Sequence, residues 1–273
     1  MQTAAKTFLR SSSMGPSPFL ARRHTPWHES TAVTEPAEGV FFVEGPASNW
    51  IIAREGQDFT LIDGGYPADL PRVLDSIRHT GLRPERAAAM LITHGHVDHT
   101  GSAAWFSAEY GTPVLCSPGE YRQLLGEEKY QVSPGQVILR AWRPRVFNWL
   151  VHVLQAGGLQ ENDIPDAGIW DIARLAGLPG APVAVPTPGH SPGHAAYRLP
   201  GAGAVATGDA LVTGHAISPA AGPQMLHPMF HHDIEAAYRA LEALAAVPER
   251  LVLPGHGPSM TLDLAAASAA LRR

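Results

Sequence analysis

Three histidines and an aspartate fall inside six positions of the stretch Thr93-His94-Gly95-His96-Val97-Asp98-His99-Thr100-Gly101. Imidazole and carboxylate are good ligands for zinc and related divalent ions, and so short a stretch can wrap one ion without closing a long loop. A lone histidine there would mean little. Four candidate ligands directly after the apolar run Ala88 to Ile92 point to a metal site at the end of a strand.

Three later loops offer ligands of the same kind: His190 in Thr187-Pro188-Gly189-His190-Ser191, Asp209 in Thr207-Gly208-Asp209-Ala210, and His256 in Leu253-Pro254-Gly255-His256-Gly257. Each follows a run that reads as a strand, and each ligand sits beside glycine. Glycine lets the backbone approach closely or take a positive φ, so the side chain can be aimed into a shared centre. With the first cluster, these loops supply seven candidate metal ligands: His94, His96, Asp98, His99, His190, Asp209 and His256.

The elements that must position them alternate in type. Val40 to Val43, Trp50 to Ala53 and Phe59 to Ile62 are short apolar runs bounded by Gly, Pro, Asn and Asp, which predicts antiparallel strands. Ala68 to Thr80 carries apolar residues at helical spacing, and Ala88 to Ile92 returns to strand character. The second half repeats the pattern: strands at Val183 to Val185, Ala195 to Leu199, Ala204 to Ala206 and Leu251 to Leu253, with an amphipathic helix over Asp233 to Ala246. Such an α+β chain predicts two packed sheets between outer helices. Residues 120 to 182 differ, because Val146 to Leu154 is strongly apolar and ends at Gly157-Gly158. They read as a helical insert whose apolar face covers a substrate pocket, meets a second copy in a homodimer, lies on a membrane surface or simply packs.

The chain has 273 residues, 45% of them hydrophobic, which suits one sizeable catalytic domain over residues 36 to 273. A net charge of −5, with two lysines among 20 basic residues, leaves no electrostatic footprint for a nucleic-acid backbone, so a small-molecule substrate is expected. The single cysteine, Cys116, cannot form an internal disulfide, and no apolar run has spanning length. A cytoplasmic location follows as the default. Residues 1 to 35 read as a disordered tail; their arginines, serines and lack of acids before Glu29 loosely resemble a transit peptide.

The His-x-His-x-Asp-His signature at residues 94 to 99, followed in order by the His190, Asp209 and His256 loops, resembles the metallo-β-lactamase superfamily over roughly residues 40 to 260. The resemblance implies an αββα sandwich with the metals at one edge, and Asp63 in Leu61-Ile62-Asp63-Gly64-Gly65 matches the family's early aspartate. It further implies two Zn2+ per chain, with iron or manganese as alternatives. His94, His96 and His190 would hold the first ion, Asp98, His99 and His256 the second, and Asp209 would bridge them. A metal-bridging hydroxide would then be the nucleophile, with Asp98 as the catalytic proton carrier.

Substrate choice is less determined, because the ligand set is shared across the superfamily. The bridging Asp209 is similar to that of thioester hydrolases and lactonases rather than true β-lactamases, which lack it. Val212 stands where acyl-homoserine lactonases have a tyrosine, three residues after the bridge. The expected reaction is hydrolysis of an ester, thioester or lactone, with an iron-dependent persulfide dioxygenase-like oxidoreductase or a β-lactam hydrolase as alternatives. Among the remaining histidines, His194 reads as support for the metal loop, and one of His215, His227, His231 and His232 is a candidate to reach the pocket. Cys116 reads as a small buried residue.

Overall fold

The computed structural model describes residues 31–272. Strands β1 (Ala32–Ala37), β2 (Val40–Glu44), β3 (Asn49–Glu55), β4 (Asp58–Ile62), β5 (Ala87–Leu91), β6 (Val114–Cys116) and β7 (Gly168–Ile169) form one sheet in that order. The pairs from β1 to β4 are antiparallel and those from β4 to β7 parallel. A second sheet has the order β12 (Met260–Thr261), β11 (Leu251–Pro254), β10 (Ala204–Gly208), β9 (Ala195–Leu199), β8 (Val183–Pro186), with β10 and β11 parallel and the other pairs antiparallel. The helices are α1 (Leu70–His79), α2 (Val97–Thr100), α3 (Ala103–Tyr110), α4 (Tyr121–Leu124), α5 (Pro134–Ile138), α6 (Pro144–Gln155), α7 (Ile172–Ala176), α8 (Ile234–Ala245) and α9 (Leu264–Leu271).

Strand alternation decides how these layers stack, because successive side chains leave opposite faces of a sheet. Phe41, Val43, Trp50 and Ile52 face outward and pack with Val73 and Ile77 of α1 and Phe106 of α3. Their neighbours Val40, Phe42, Ile51 and Ala53 face inward and meet Tyr197, Leu199, Ala204 and Ala206 of the second sheet. That sheet's other face, through Ala196, Val205 and Val252, receives Leu241 and Leu244 of α8 and Leu264 of α9. The order of layers is therefore helix, sheet, sheet, helix, the αββα sandwich.

Topology then gathers the ligand loops. β4 and β5 are parallel, so Asp63 and the His94 loop leave the same edge; β10 and β11 are parallel, so Asp209 and His256 do too. β8 and β10 each run antiparallel to β9, which brings the His190 loop to the edge used by Asp209.

Two expectations need correction. The chain is ordered into β1 from Ala32, so the domain starts before residue 36; the rest of the expected tail, residues 1–30, lies outside the described residues. Residues 120–182 are not wholly a helical insert. Gly168–Ile169 extends the first sheet beside β6, and the helical part is α4 to α6 with the short α7 beyond β7. A two-residue strand with one glycine is too short for period-2 patterning to reveal it.

Candidate metal centre

All seven expected ligands converge at that sandwich edge. Ligand atoms of His94, His96 and His190 lie within 4.8 Å of one another, as do those of Asp98, His99 and His256, and those of His94, His99 and Asp209. Asp209 stands between the two groups: its Oδ2 is 3.3 Å from both His190 Nε2 and His256 Nε2, and its Oδ1 is 3.5 Å from His99 Nε2. His94, His99, His190, Asp209 and His256 are buried, whereas His96 and Asp98 are partly open.

The ring orientations follow from what each histidine does with its other nitrogen. Thr93 Oγ1 donates to Asp63 Oδ2, so it accepts from His94 Nδ1–H at 3.0 Å. His96 Nε2–H donates to the Tyr130 carbonyl at 2.7 Å, His99 Nδ1–H to Asp63 at 2.9 Å, and His256 Nδ1–H to the Ala47 carbonyl at 2.7 Å. In the neutral form that can bind a cation an imidazole has one donor and one acceptor, so the inward atoms would then be lone pairs: Nε2 of His94, His99 and His256, and Nδ1 of His96.

This arrangement fits a cation. His94 Nε2 and His96 Nδ1 face each other at 3.0 Å without a proton to share, and His190 Nε2 is 3.1 and 2.9 Å from them. Nitrogens on one tetrahedral ion at about 2.0 Å stand about 3.3 Å apart, close to this spacing. Among the described residues, His99 Nε2 and Asp209 Oδ1 are buried and have no hydrogen-bond partner. Electrostatics point the same way. Burial, reinforced by neighbouring imidazoles, holds His94 well below the usual imidazole range, and burial does the same to His190. Burial opposes charge on His99 too, yet Asp209, Asp98 and Asp63 outweigh it and raise its pKa to about 10. The carboxylates thus stabilise a positive charge at that position, which a divalent ion can supply.

Local backbone geometry aims the loops. Gly189 has φ +133°, and a Cβ there would collide with the backbone of α8 at Ala236 and Ala237. Gly208 has φ +50° beside the His194 ring. His194 is buried; its Nε2 accepts the backbone N–H of Asp209 at 3.0 Å, which makes it support for the bridging loop rather than part of the ligand set. His215 lines the cavity, while His227 caps the short turn that starts at Pro228.

Glu120 escaped sequence reasoning. Fully buried, it accepts hydrogen bonds from Gly95 N at 2.7 Å, from Gly193 N at 2.8 Å and from the Ser191 hydroxyl, tying the His94–His96 loop to the His190 loop. No motif marks it; its only signal is an acid four residues after a strand parallel to β5.

A cavity of about 340 Å3 opens onto His96, Asp98, His190, Asp209 and His256, and its far wall is apolar, with Val137, Trp149, Leu150, Val153, Leu226 and Phe230. Among the described residues, no lysine or arginine lines it.

Known proteins carry the same plan. The chain is 25% identical over 221 residues to the probable metallo-hydrolase YybB of Bacillus subtilis, covering 78% of this chain and 81% of that one. It is 30% identical to the uncharacterized protein ML0493 of Mycobacterium leprae, covering 77% and 85% respectively. Among solved structures, a metallo-beta-lactamase family protein from Thermus thermophilus matches at TM-score 0.61 and 20% identity over 86% of this chain and 78% of that one. TTHA1623, solved in a di-iron-bound form, matches at TM-score 0.53 and 27% identity over 81% and 94%. With the profile of one family matching residues 43–256, from β2 to the last of the seven converging side chains, the chain belongs to the metallo-beta-lactamase superfamily.

Proposed function

We propose that this chain is a hydrolase that cleaves an ester, thioester or lactone bond of a small, partly apolar molecule at a centre of two divalent ions, zinc first among them. His94, His96 and His190 would hold one ion, Asp98, His99 and His256 the other, and Asp209 would serve both. Ions held there supply Lewis acidity and a water acidified enough to attack at neutral pH. Asp98 is the group placed to hold and pass a proton, because its carboxylate is partly open at the cavity floor, 3.5 Å from His256 Nε2.

The observation that carries this reading is the wall of the cavity. Apolar side chains meet the ligand cluster with no cationic residue between them, so the site suits a neutral acyl group. A phosphodiester or a carboxylate-bearing β-lactam would bring a negative charge that only the ions themselves could meet, since among the described residues no cationic side chain lines the cavity to hold it elsewhere. The relative named a probable metallo-hydrolase is in keeping with this chemistry, and the di-iron form of TTHA1623 makes iron the second candidate metal. The buried free thiol of Cys116 suits a reducing compartment, and we place the protein in the cytoplasm.

Elemental analysis of protein purified without added metal, beside a screen of esters, thioesters, lactones and a chromogenic β-lactam, tests the proposal. Two metal ions per chain with turnover of neutral acyl substrates is the expected result. One iron per chain with oxygen uptake would overturn it in favour of a persulfide dioxygenase-like oxidoreductase.

A further inference from the structure

The segment from α5 to α6 is apolar on both sides. Trp149 is buried and lines the cavity, and Val146 is buried in the same apolar cluster, yet Ile138, Leu139, Trp142, Phe147, Leu154 and Leu159 are between 50% and 77% exposed. Scattered exposed apolar residues are ordinary, but this many on one short segment mark a contact surface. Its charge is equally uneven. Residues 129–160 contain Lys129, Arg140, Arg143 and Arg145 and no aspartate or glutamate, in a chain of net charge −5.

Among the described residues none of the three arginines pairs with a carboxylate. Arg140 donates to the Gln136 carbonyl, Arg145 to the Ser218 carbonyl, and the Arg143 guanidinium lies 5.3 Å from the centroid of the Trp142 ring. The arginines surround one surface depression together with His227. Ile138, Leu154 and Leu159 also line the mouth of the metal-centre cavity, so the exposed apolar surface runs into the candidate site.

We propose that this face docks on an anionic lipid bilayer, Leu139 and Trp142 entering the interface while Arg140, Arg143 and Arg145 meet lipid phosphates. Complementarity favours that partner: an anionic bilayer offers apolar depth and negative headgroups together, which is the pairing this segment presents. A second copy is a poor match, because a two-fold interface lays the patch on itself and sets six arginines together without an acid from the same segment. Docking would also place the cavity mouth at the membrane, where apolar esters concentrate. That link to catalysis rests on the acyl-hydrolase reading; the docking itself does not.

The test is flotation of the full chain with vesicles of phosphatidylcholine alone or mixed with phosphatidylglycerol, at low and high salt. The expected result is binding to the anionic vesicles that weakens with salt. Combined Leu139→Ser and Trp142→Ser should lower partitioning by about tenfold or more, and each Arg→Gln change at 140, 143 or 145 by about fivefold. Neither Leu139 nor Trp142 lines the cavity, so metal content and turnover of a short water-soluble ester should not change in the first variant. Failure of the unaltered chain to float with anionic vesicles, or equal binding to both vesicle types, would overturn the proposal. So would a dimer in sedimentation velocity that Leu139→Ser dissociates while vesicles are ignored. Vesicle binding without any ester turnover would sink the hydrolase reading and leave docking standing.

Discussion

Asp63 holds His99 from behind: its Oδ2 accepts the ring Nδ1–H at 2.9 Å, while the same carboxylate takes the backbone N–H and the hydroxyl of Thr93, each at 2.8 Å. Because Thr93 in turn accepts from His94, one carboxylate fixes the tautomers of one histidine from each proposed ion site. Asp63 does this from a left-handed backbone, φ 60°, a conformation that costs a residue other than glycine roughly 1–2 kcal/mol. Asp63→Ala should therefore weaken metal binding by about 10–100-fold, measured by competition against a chromogenic chelator. Unchanged affinity would mean that the rings hold their orientation without it.

Glu120 plays a comparable part between loops, and its carboxylate accepts from two backbone N–H groups and the Ser191 hydroxyl. Glu120→Gln keeps the shape but turns an amide NH2 toward one of those donors. Urea melts should show a loss of about 2–3 kcal/mol, and the affinity of the ion site formed by His94, His96 and His190 should fall about tenfold or more. A variant with full affinity and normal stability would show that the two loops are held by other contacts.

Much of this was legible in the residues themselves. The ligand cluster announces itself because four candidate ligands crowd six positions, and the strands around Phe42, Ile51 and Leu61 alternate or run apolar clearly enough to place the sheets. What stayed hidden depends on long-range partners. Strand β7 exists only because β6 offers it an edge, and β1 carries Glu35 and Pro36, poor strand formers that fall at the irregularity between Thr34 and Ala37 while the residues on either side pair with β2. Glu120 acquires its role from Gly95 and Gly193, 25 and 73 residues away, which no local pattern encodes. For Val146 to Leu154 a pocket wall is one option among several in the sequence, since the segment is apolar on both faces and periodicity cannot say which face is buried.

Asp98 faces the cavity with a partly open side chain, and its backbone carbonyl is pinned by the Ser48 hydroxyl at 2.6 Å. Asp98→Asn preserves that backbone contact and the side-chain volume while removing the proton-accepting oxygen. In variant protein shown by elemental analysis to keep both ions, turnover should fall by about 10²–10⁴-fold with little change in KM. A rise in KM at constant kcat would instead make Asp98 a binding group only.

Cys116 is fully buried at the end of β6; burial, with Glu120 nearby, pushes its thiol up to about 12. Since only the thiolate is nucleophilic and a raised pKa keeps the thiol protonated, raising the pH from 7 to 9 should not expose reactivity in the folded protein. Native protein should remain unlabelled by a thiol reagent across that range, and unfolding in urea should release one thiol per chain, the number the sequence contains. Rapid native labelling would show that the strand edge opens.

Trp149 gives the cavity its depth. Its indole is 7% exposed, with ring centroids 5.4 Å from Phe230 and 6.3 Å from His215, so it forms wall rather than surface. Removing it leaves the metal ligands untouched, because α6 contributes none of the seven, but it withdraws apolar contact from whatever fills the cavity. Trp149→Ala should raise KM for longer acyl chains by about tenfold, the scale expected for losing one or two methylene contacts, and leave short-chain esters nearly unaffected. Large-to-small changes in a core commonly cost about 3–5 kcal/mol, so the comparison needs a variant shown by melting and metal content to be folded and loaded. A folded, loaded variant whose KM is the same at every chain length would remove α6 from the substrate site and leave its packing as its whole purpose.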